Sequence, residues 1–181
     1  PDAENLIYDI INFNLGGTSV QRFDGIQYDV EPYLLETRVE NDPYDWFYDN
    51  GLIWNEYLEM LNNCQMIVND YNTSYSPDIK FGVAIPFWYS AGQLGAPQRV
   101  EDVIDKVDYI AIMAYRDSDS GIRDASSEEI AYADTVGKKV YVGVETSIIS
   151  PSSITFYEEG NAALESALGD VDTYFSGNSS Y

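Results

Sequence analysis

The sequence contains no histidine among its 181 residues. That excludes Ser-His-Asp and Cys-His catalysis, and every metal site that needs an imidazole ligand. It has one cysteine, Cys64, so no internal disulfide can form. Cys64 falls within an apolar helical pattern and reads as a small core residue, not a nucleophile. Cations are scarce: nine Lys and Arg stand against 31 Asp and Glu, a formal charge of −22. Such a surface repels phosphate backbones and anionic membranes, so no nucleic acid and no membrane partner is expected; a neutral substrate fits. No apolar run approaches the length of a membrane span. No positively charged n-region followed by an apolar stretch marks a leader, and the chain opens on Pro1 instead of Met. No GxGxxG or GxxxxGK[ST] segment is present, and no cofactor and no metal are expected.

What is present is a 45% hydrophobic chain with ordered alternation of segments. Leu6, Ile7, Ile10 and Ile11 fall at helical spacing over 2–13, and Gly16 and Gly17 end that pattern. Gly25 to Glu31 reads as a strand. Asp42 and Pro43 have the form of a helix N-cap and first helical residue. A helix with the stripe Ile53, Trp54, Tyr57, Leu58, Leu61, Cys64, Ile67 and Val68 follows. Strands are expected at Lys80–Phe87, Tyr109–Tyr115 and Lys139–Glu145, with helices at Val100–Lys106, at Ser126 to about Asp134, and from Asn161 to about Tyr174. Ser126 with Glu129 has the spacing of a capping box. The whole of 1–181 reads as one domain.

Strands alternating with helices predict βαβ units and an α/β fold with a parallel sheet. Side chains alternate along a strand, so Ile26, Tyr28 and Val30 share one face, and Gln27, Asp29 and Glu31 the other. Val140, Val142 and Val144 likewise oppose Tyr141, Gly143 and Glu145. One face is aliphatic; the other is mixed and becomes polar toward the C-terminal ends. A doubly wound sheet needs apolar residues on both faces, whereas a (β/α)8 barrel admits polar inward residues at its C-terminal mouth. The expected fold is therefore a partial TIM barrel. A full barrel takes ~250 residues and eight strands. Four strands are readable here, so the chain is expected to be a fragment of a longer barrel, or to self-associate through its open sheet edges.

The segment Asp24-Gly25-Ile26-Gln27-Tyr28-Asp29-Val30-Glu31-Pro32 carries the most chemistry. Asp29 and Glu31 are two apart on a strand and point the same way. Two carboxylates that close cannot both ionise freely, and one is pushed toward the raised pKa that a general acid needs. The competing reading is a pair of solvated acids in an acidic chain. An inward polar row of Gln27, Asp29 and Glu31 argues against it, because burying such groups without a role or a partner is costly.

These residues resemble the strand-four signature of glycoside hydrolase family 18, the chitinases and their relatives, written DxxDxDxE. Asp24, Asp29 and Glu31 match it, and Gln27 stands where the motif has its first inner Asp. The strand ending Met113-Ala114-Tyr115-Arg116 resembles that family's Met-x-Tyr-Asp strand six, with Arg116 in place of the Asp. Phe81–Pro86 resembles strand five, which makes the four strands numbers four to seven. The resemblance implies substrate-assisted hydrolysis of N-acetylhexosamine polymers, cell-wall or extracellular polysaccharide among them, and so an extracellular or cell-surface location. Glu31 would protonate the glycosidic oxygen. Asp29 would orient the acetamido group that attacks the anomeric carbon, and Tyr115 would hydrogen-bond that group.

Glu145, at the end of the fourth strand, resembles the strand-seven nucleophile of retaining barrel glycosidases; a sugar-binding acid at the mouth is the equal alternative. Gln27, Tyr33, Trp88 and Met113 would line the substrate site, Tyr33 and Trp88 by stacking on sugar rings. The departures at Gln27 and Arg116 favour a second reading: a catalytically inactive carbohydrate-binding or structural domain derived from a barrel. Asp117, Asp119 and Asp124 in a glycine-containing loop read as solvated acids, since the spacing is not that of an EF-hand. Asn72-Thr73-Ser74 and Asn178-Ser179-Ser180 fit a glycosylation sequon that arises often by chance.

Overall fold

The computed structural model describes residues 2–18, 20–34, 52–89 and 100–181. The expected helix start at Asp42-Pro43 lies outside the described residues. The elements follow the order α1 (Asp2–Gly16), β1 (Gly25–Asp29), α2 (Leu52–Ser74), β2 (Lys80–Pro86), α3 (Val100–Ile104), β3 (Tyr109–Met113), α4 (Asp119–Asp124), α5 (Ser127–Val136), β4 (Lys139–Gly143) and α6 (Gly160–Phe175). The four strands form one parallel sheet in the order β1-β2-β3-β4. The fold is α/β.

The helices gather on one face. Ile26, Phe81, Val83, Ile85, Ile110, Ile112 and Val140 belong to a single core with Trp54, Tyr57, Leu61 and Val68 of α2, Ile130 of α5, and Val171 and Phe175 of α6. Tyr28 points the same way: its ring meets Phe81 edge-on at 5.3 Å and its hydroxyl donates to the Ala3 carbonyl of α1. On the other face Gln27 and Asp29 are exposed and Tyr141 is 59% exposed. The period of two is expressed in β1, β3 and β4 as one more buried and one more open face, while in β2 both sets are buried.

The uncovered face has a particular floor at its N-terminal end. Tyr109 lies across the sheet and its hydroxyl donates to the Ile26 carbonyl at 3.1 Å. Only glycine fits beneath it, because a Cβ on Gly82 would come within 2.3 Å of the Tyr109 ring.

Polar side chains outside the sheet set where β1 and β2 begin. Asn14 of α1, 2% exposed, donates to the Phe23 carbonyl at 3.0 Å and accepts from the Phe23 N–H at 2.9 Å. Asn72 of α2 does the same for Ile79, both at 2.9 Å. Asp108 accepts from the Phe81 N–H at 3.0 Å. Each clamp satisfies backbone groups that burial would otherwise orphan. Asn14 also explains why α1 reaches Gly16, past the expected end: the clamp must ride on the helix. Asn72 of the first sequon is thus a structural side chain.

Three expectations are corrected. The strands are shorter than read, so Glu31, Tyr115 and Glu145 lie just past the ends of β1, β3 and β4. The glycine-containing loop is the short helix α4, in which Asp119 pairs with Arg123 at 2.6 Å. The capping box does not form: Ser126 precedes α5, but its hydroxyl donates to the Ile122 carbonyl at 2.9 Å. The last turn of α4 runs directly into α5 and offers that carbonyl first.

Asn72→Ala should lose about 2 kcal/mol, the cost of leaving the N–H and C=O of buried Ile79 unpaired, and Asn14→Ala less, since Phe23 is half exposed. Urea unfolding checks this, with the midpoint falling and the slope unchanged.

Candidate active site

The parallel register aligns the strand ends. Asp29 pairs with Ala84, Ala84 with Ala111, and Ala111 with Tyr141, and two steps further Pro86, Met113 and Gly143 pair in turn. Small residues at the centre of these rows leave room on the uncovered face. The last residues of β1, β3 and β4 are Asp29, Met113 and Gly143, and two positions on lie Glu31, Tyr115 and Glu145. Asp29, Met113 and Gly143 share one face by alternation, and Glu31, Tyr115 and Glu145 lie in the turns just beyond.

These groups feel one another. Burial raises the Asp29 carboxyl above the ordinary carboxylate range, and the neighbouring Glu31 charge adds to it. Burial likewise raises the Tyr115 phenol, followed by the charges of Glu145, Asp29 and Glu31. Tyr115 thus lies within electrostatic reach of strand-end acids of both sheet edges. Glu31 accepts a hydrogen bond from the Tyr33 hydroxyl.

An aromatic wall stands behind the acids. It is built from the short 3-10 turns that follow β1 (Pro32–Leu34) and β2 (Phe87–Tyr89). Tyr33 meets Trp88 edge-on at 4.8 Å and Tyr89 at 6.3 Å, and Trp54 of α2 meets Tyr89 at 5.4 Å. Such edge-to-face pairs fix ring orientation and stiffen the turn. Trp88 is half-buried in this wall.

Not every expected residue joins the cluster. Gln27 lies one pleat below Asp29, on the same face but toward the N-terminal end. Met113 is half-buried at the end of β3. The Glu145 carboxylate is turned to its own loop: Oε1 accepts from the Thr146 N–H at 2.7 Å and the Ser147 N–H at 2.6 Å. The Ser147 and Thr146 bonds hold its pKa below the ordinary value, so Glu145 is ionised at neutral pH and is no proton donor. Arg116 sits with its guanidinium 4.0 Å from the Phe87 ring and donates to the Tyr115 carbonyl at 2.7 Å. It bridges the ends of β2 and β3.

Two residues escape the sequence reading. Tyr57 is 4% exposed, and its hydroxyl finds no hydrogen-bond partner among the described residues. Burial raises its pKa, with Asp29 as the second cause. Tyr89 is raised by burial, then by Tyr57, Tyr33 and Glu31. Nothing in the sequence marks Tyr57, which occupies an ordinary place in the apolar stripe of α2. The one mark on Tyr89 is its place after Phe87-Trp88.

A large hollow lies elsewhere. It measures about 910 Å³ and lies at the N-terminal end of the strands, lined by Gln27, Lys80, Tyr109, Lys139 and Tyr141 among others. It exists because no element covers that face, and it contains none of the strand-end acids. No group of three or more acidic or thiol side chains among the described residues could hold a metal ion. No helix among them is long and apolar enough to cross a membrane. No family model, curated protein or solved structure matches the chain.

The raised Asp29 pKa has a stability consequence. A carboxyl whose folded pKa exceeds its unfolded value near 3.9 penalises the folded state once it ionises, so stability is lost as pH rises through that window. A neutral amide at this position removes the penalty. Asp29→Asn should raise Tm at pH 7 and lose that advantage at pH 3; a lower Tm at pH 7 would contradict the assignment.

Proposed function

We propose that the chain is part of a (β/α)8 barrel, roughly strands four to seven, of a glycoside hydrolase related to family 18. Its substrate is an N-acetylhexosamine-containing glycan. The observation that carries this reading is that Asp29, Glu31 and Glu145 gather within electrostatic reach of Tyr115 at the C-terminal strand ends. Active sites of barrels lie at that end. The one-sided helical layer supports a barrel over a doubly wound sheet. A polymeric glycan is met outside the cell, which gives an extracellular or cell-surface location.

In this reading Glu31 donates a proton to the glycosidic oxygen as the bond to the anomeric carbon breaks. The substrate's acetamido carbonyl oxygen attacks that carbon from the opposite side. Asp29 accepts the acetamido N–H and so orients the attack, and the Tyr115 hydroxyl hydrogen-bonds the same group. Water then opens the cyclic intermediate, with Glu31 taking back a proton. Tyr33 and Trp88 offer ring surface to the sugars; Gln27 and Met113 complete the floor.

A second reading, a domain that binds carbohydrate without cleaving it, is favoured by two observations. Arg116 adds a fixed cation beside Tyr115, and Glu145 is held by its own loop.

Hydrolysis of a chromogenic N-acetylglucosaminide separates these readings. Glu31→Gln should lower the rate by ~100-fold or more on substrates with poor leaving groups. Asp29→Asn should be severe and Glu145→Gln mild. A covalent route reverses that order, since Glu145 would then be the nucleophile. Hydrolysis of plain glucosides with a tolerated Asp29→Asn would overturn substrate assistance. Saturable binding without turnover would leave the second reading.

A further inference from the structure

The Tyr33 hydroxyl donates to Oε1 of Glu31 from the turn that follows β1. Among the described residues no second donor bonds that carboxyl. The Leu34 N–H closes the same turn by donating to the Glu31 carbonyl at 2.9 Å. One short turn therefore holds both the backbone and the side chain of Glu31.

Tyr33 is itself well mounted. Its ring meets Trp88 edge-on at 4.8 Å and Tyr89 at 6.3 Å. Tyr89 is 2% exposed and is braced by Trp54 of α2 at 5.4 Å. Rings packed edge to face have a fixed orientation, so the phenol is held toward its acceptor. It also stays protonated. Burial first, then the bond to Glu31 and the charges of Glu31, Asp29 and Tyr115, hold its pKa above the ordinary tyrosine value. At neutral pH it is a hydroxyl that donates.

A carboxylic acid carries its proton on one of its two oxygens, and the other remains an acceptor. With Oε1 accepting from Tyr33, the proton belongs on Oε2. The Tyr33 bond persists in both protonation states, because Oε1 accepts equally as part of a carboxylate and as the carbonyl oxygen of the acid. We propose that Tyr33 is a positioning residue: its hydroxyl holds Oε1 of Glu31 and leaves Oε2 as the oxygen that gives and takes back the proton. The glycosidic oxygen as recipient of that proton rests on the proposed glycosidase function; the aim of the carboxyl does not. In that function the Oε2 proton passes to the glycosidic oxygen as the bond to the anomeric carbon breaks. Oε2 then takes a proton from the water that opens the cyclic intermediate.

The test uses the intact 181-residue chain and Tyr33→Phe, which keeps the ring against Trp88 and Tyr89 and removes the hydroxyl alone. Carbon-13 relaxation and vicinal couplings of the Glu31 side chain read its aim directly, with or without turnover. Wild type should show a single Glu31 rotamer. Tyr33→Phe should show an average over several, with an unchanged far-UV spectrum. On N-acetylglucosaminides of graded leaving group, Tyr33→Phe should lower kcat ~10-fold or more where the leaving group is poor, and less than about threefold for dinitrophenolate, with KM unchanged. In Glu31→Gln the Tyr33→Phe change should add no further loss. A Glu31 side chain that averages over rotamers in the wild-type chain overturns the proposal without any variant. So does an equally ordered Glu31 in Tyr33→Phe, or a higher KM at unchanged kcat, which would make Tyr33 a sugar-stacking residue only. A chain that turns over no N-acetylglucosaminide yet loses Glu31 order in Tyr33→Phe sinks the glycosidase function and leaves Tyr33 as the residue that aims Glu31.

Discussion

Everything in this structure depends on a four-stranded parallel sheet that buries one face and leaves the other open. Ile26, Tyr28, Phe81, Val83, Ile85, Ile110, Ile112, Val140 and Val142 all turn toward the helices. Because the side-chain period is two, that choice fixes the opposite face without further instruction: Gln27, Asp29, Ala84, Ala111, Met113, Tyr141. A slip of one residue in any strand would exchange the two sets. The clamps from Asn14, Asn72 and Asp108 act on the residues that enter β1 and β2, where such a slip would begin. Register and site are thus one constraint.

The open face is where the sequence departs from what stability alone would favour. Asp29 is exposed on that face, yet partial desolvation and then the Glu31 charge raise its carboxyl above the ordinary range. Tyr57 keeps a buried hydroxyl near it without a hydrogen bond among the described residues. Groups perturbed in this way cluster at functional sites. By contrast Glu145 is relieved by the N–H groups of its own loop. The two strand-end acids are therefore shifted in opposite directions, Asp29 up and Glu145 down. That contrast is what ranks Asp29 above Glu145 as the partner of Glu31.

Much of this was legible in the residues. Alternation in β1 and β4 told which face would be buried, and the apolar stripe of α2 named the core that Trp54, Tyr57, Leu61, Cys64 and Val68 build. Their spacing put Asp29 and Glu31 on one face, but β1 ends at Asp29, before Glu31. What was not legible depends on contacts distant in sequence. Nothing local says that Asn14 would clamp Phe23, or that Tyr109 would lie over Gly82. Ser126 and Glu129 have capping-box spacing, yet the adjoining end of α4 offers Ser126 another acceptor. Tyr57 reads as core because periodicity reports burial and cannot report what the hydroxyl faces. Strand ends were overrun because polar continuation on one face looks the same in a strand and in the turn beyond it.

The central claim is that Asp29 and Glu31 form one coupled acid pair on the open face. Carbon-13 titration of the Asp29 carboxyl, in the wild-type chain and in Glu31→Gln, measures that coupling directly. The account predicts an Asp29 midpoint above the ordinary carboxylate range that moves back toward it when the Glu31 charge is removed, with the part due to burial remaining. An Asp29 that titrates as an ordinary solvated carboxylate, or whose midpoint ignores Glu31→Gln, would contradict it.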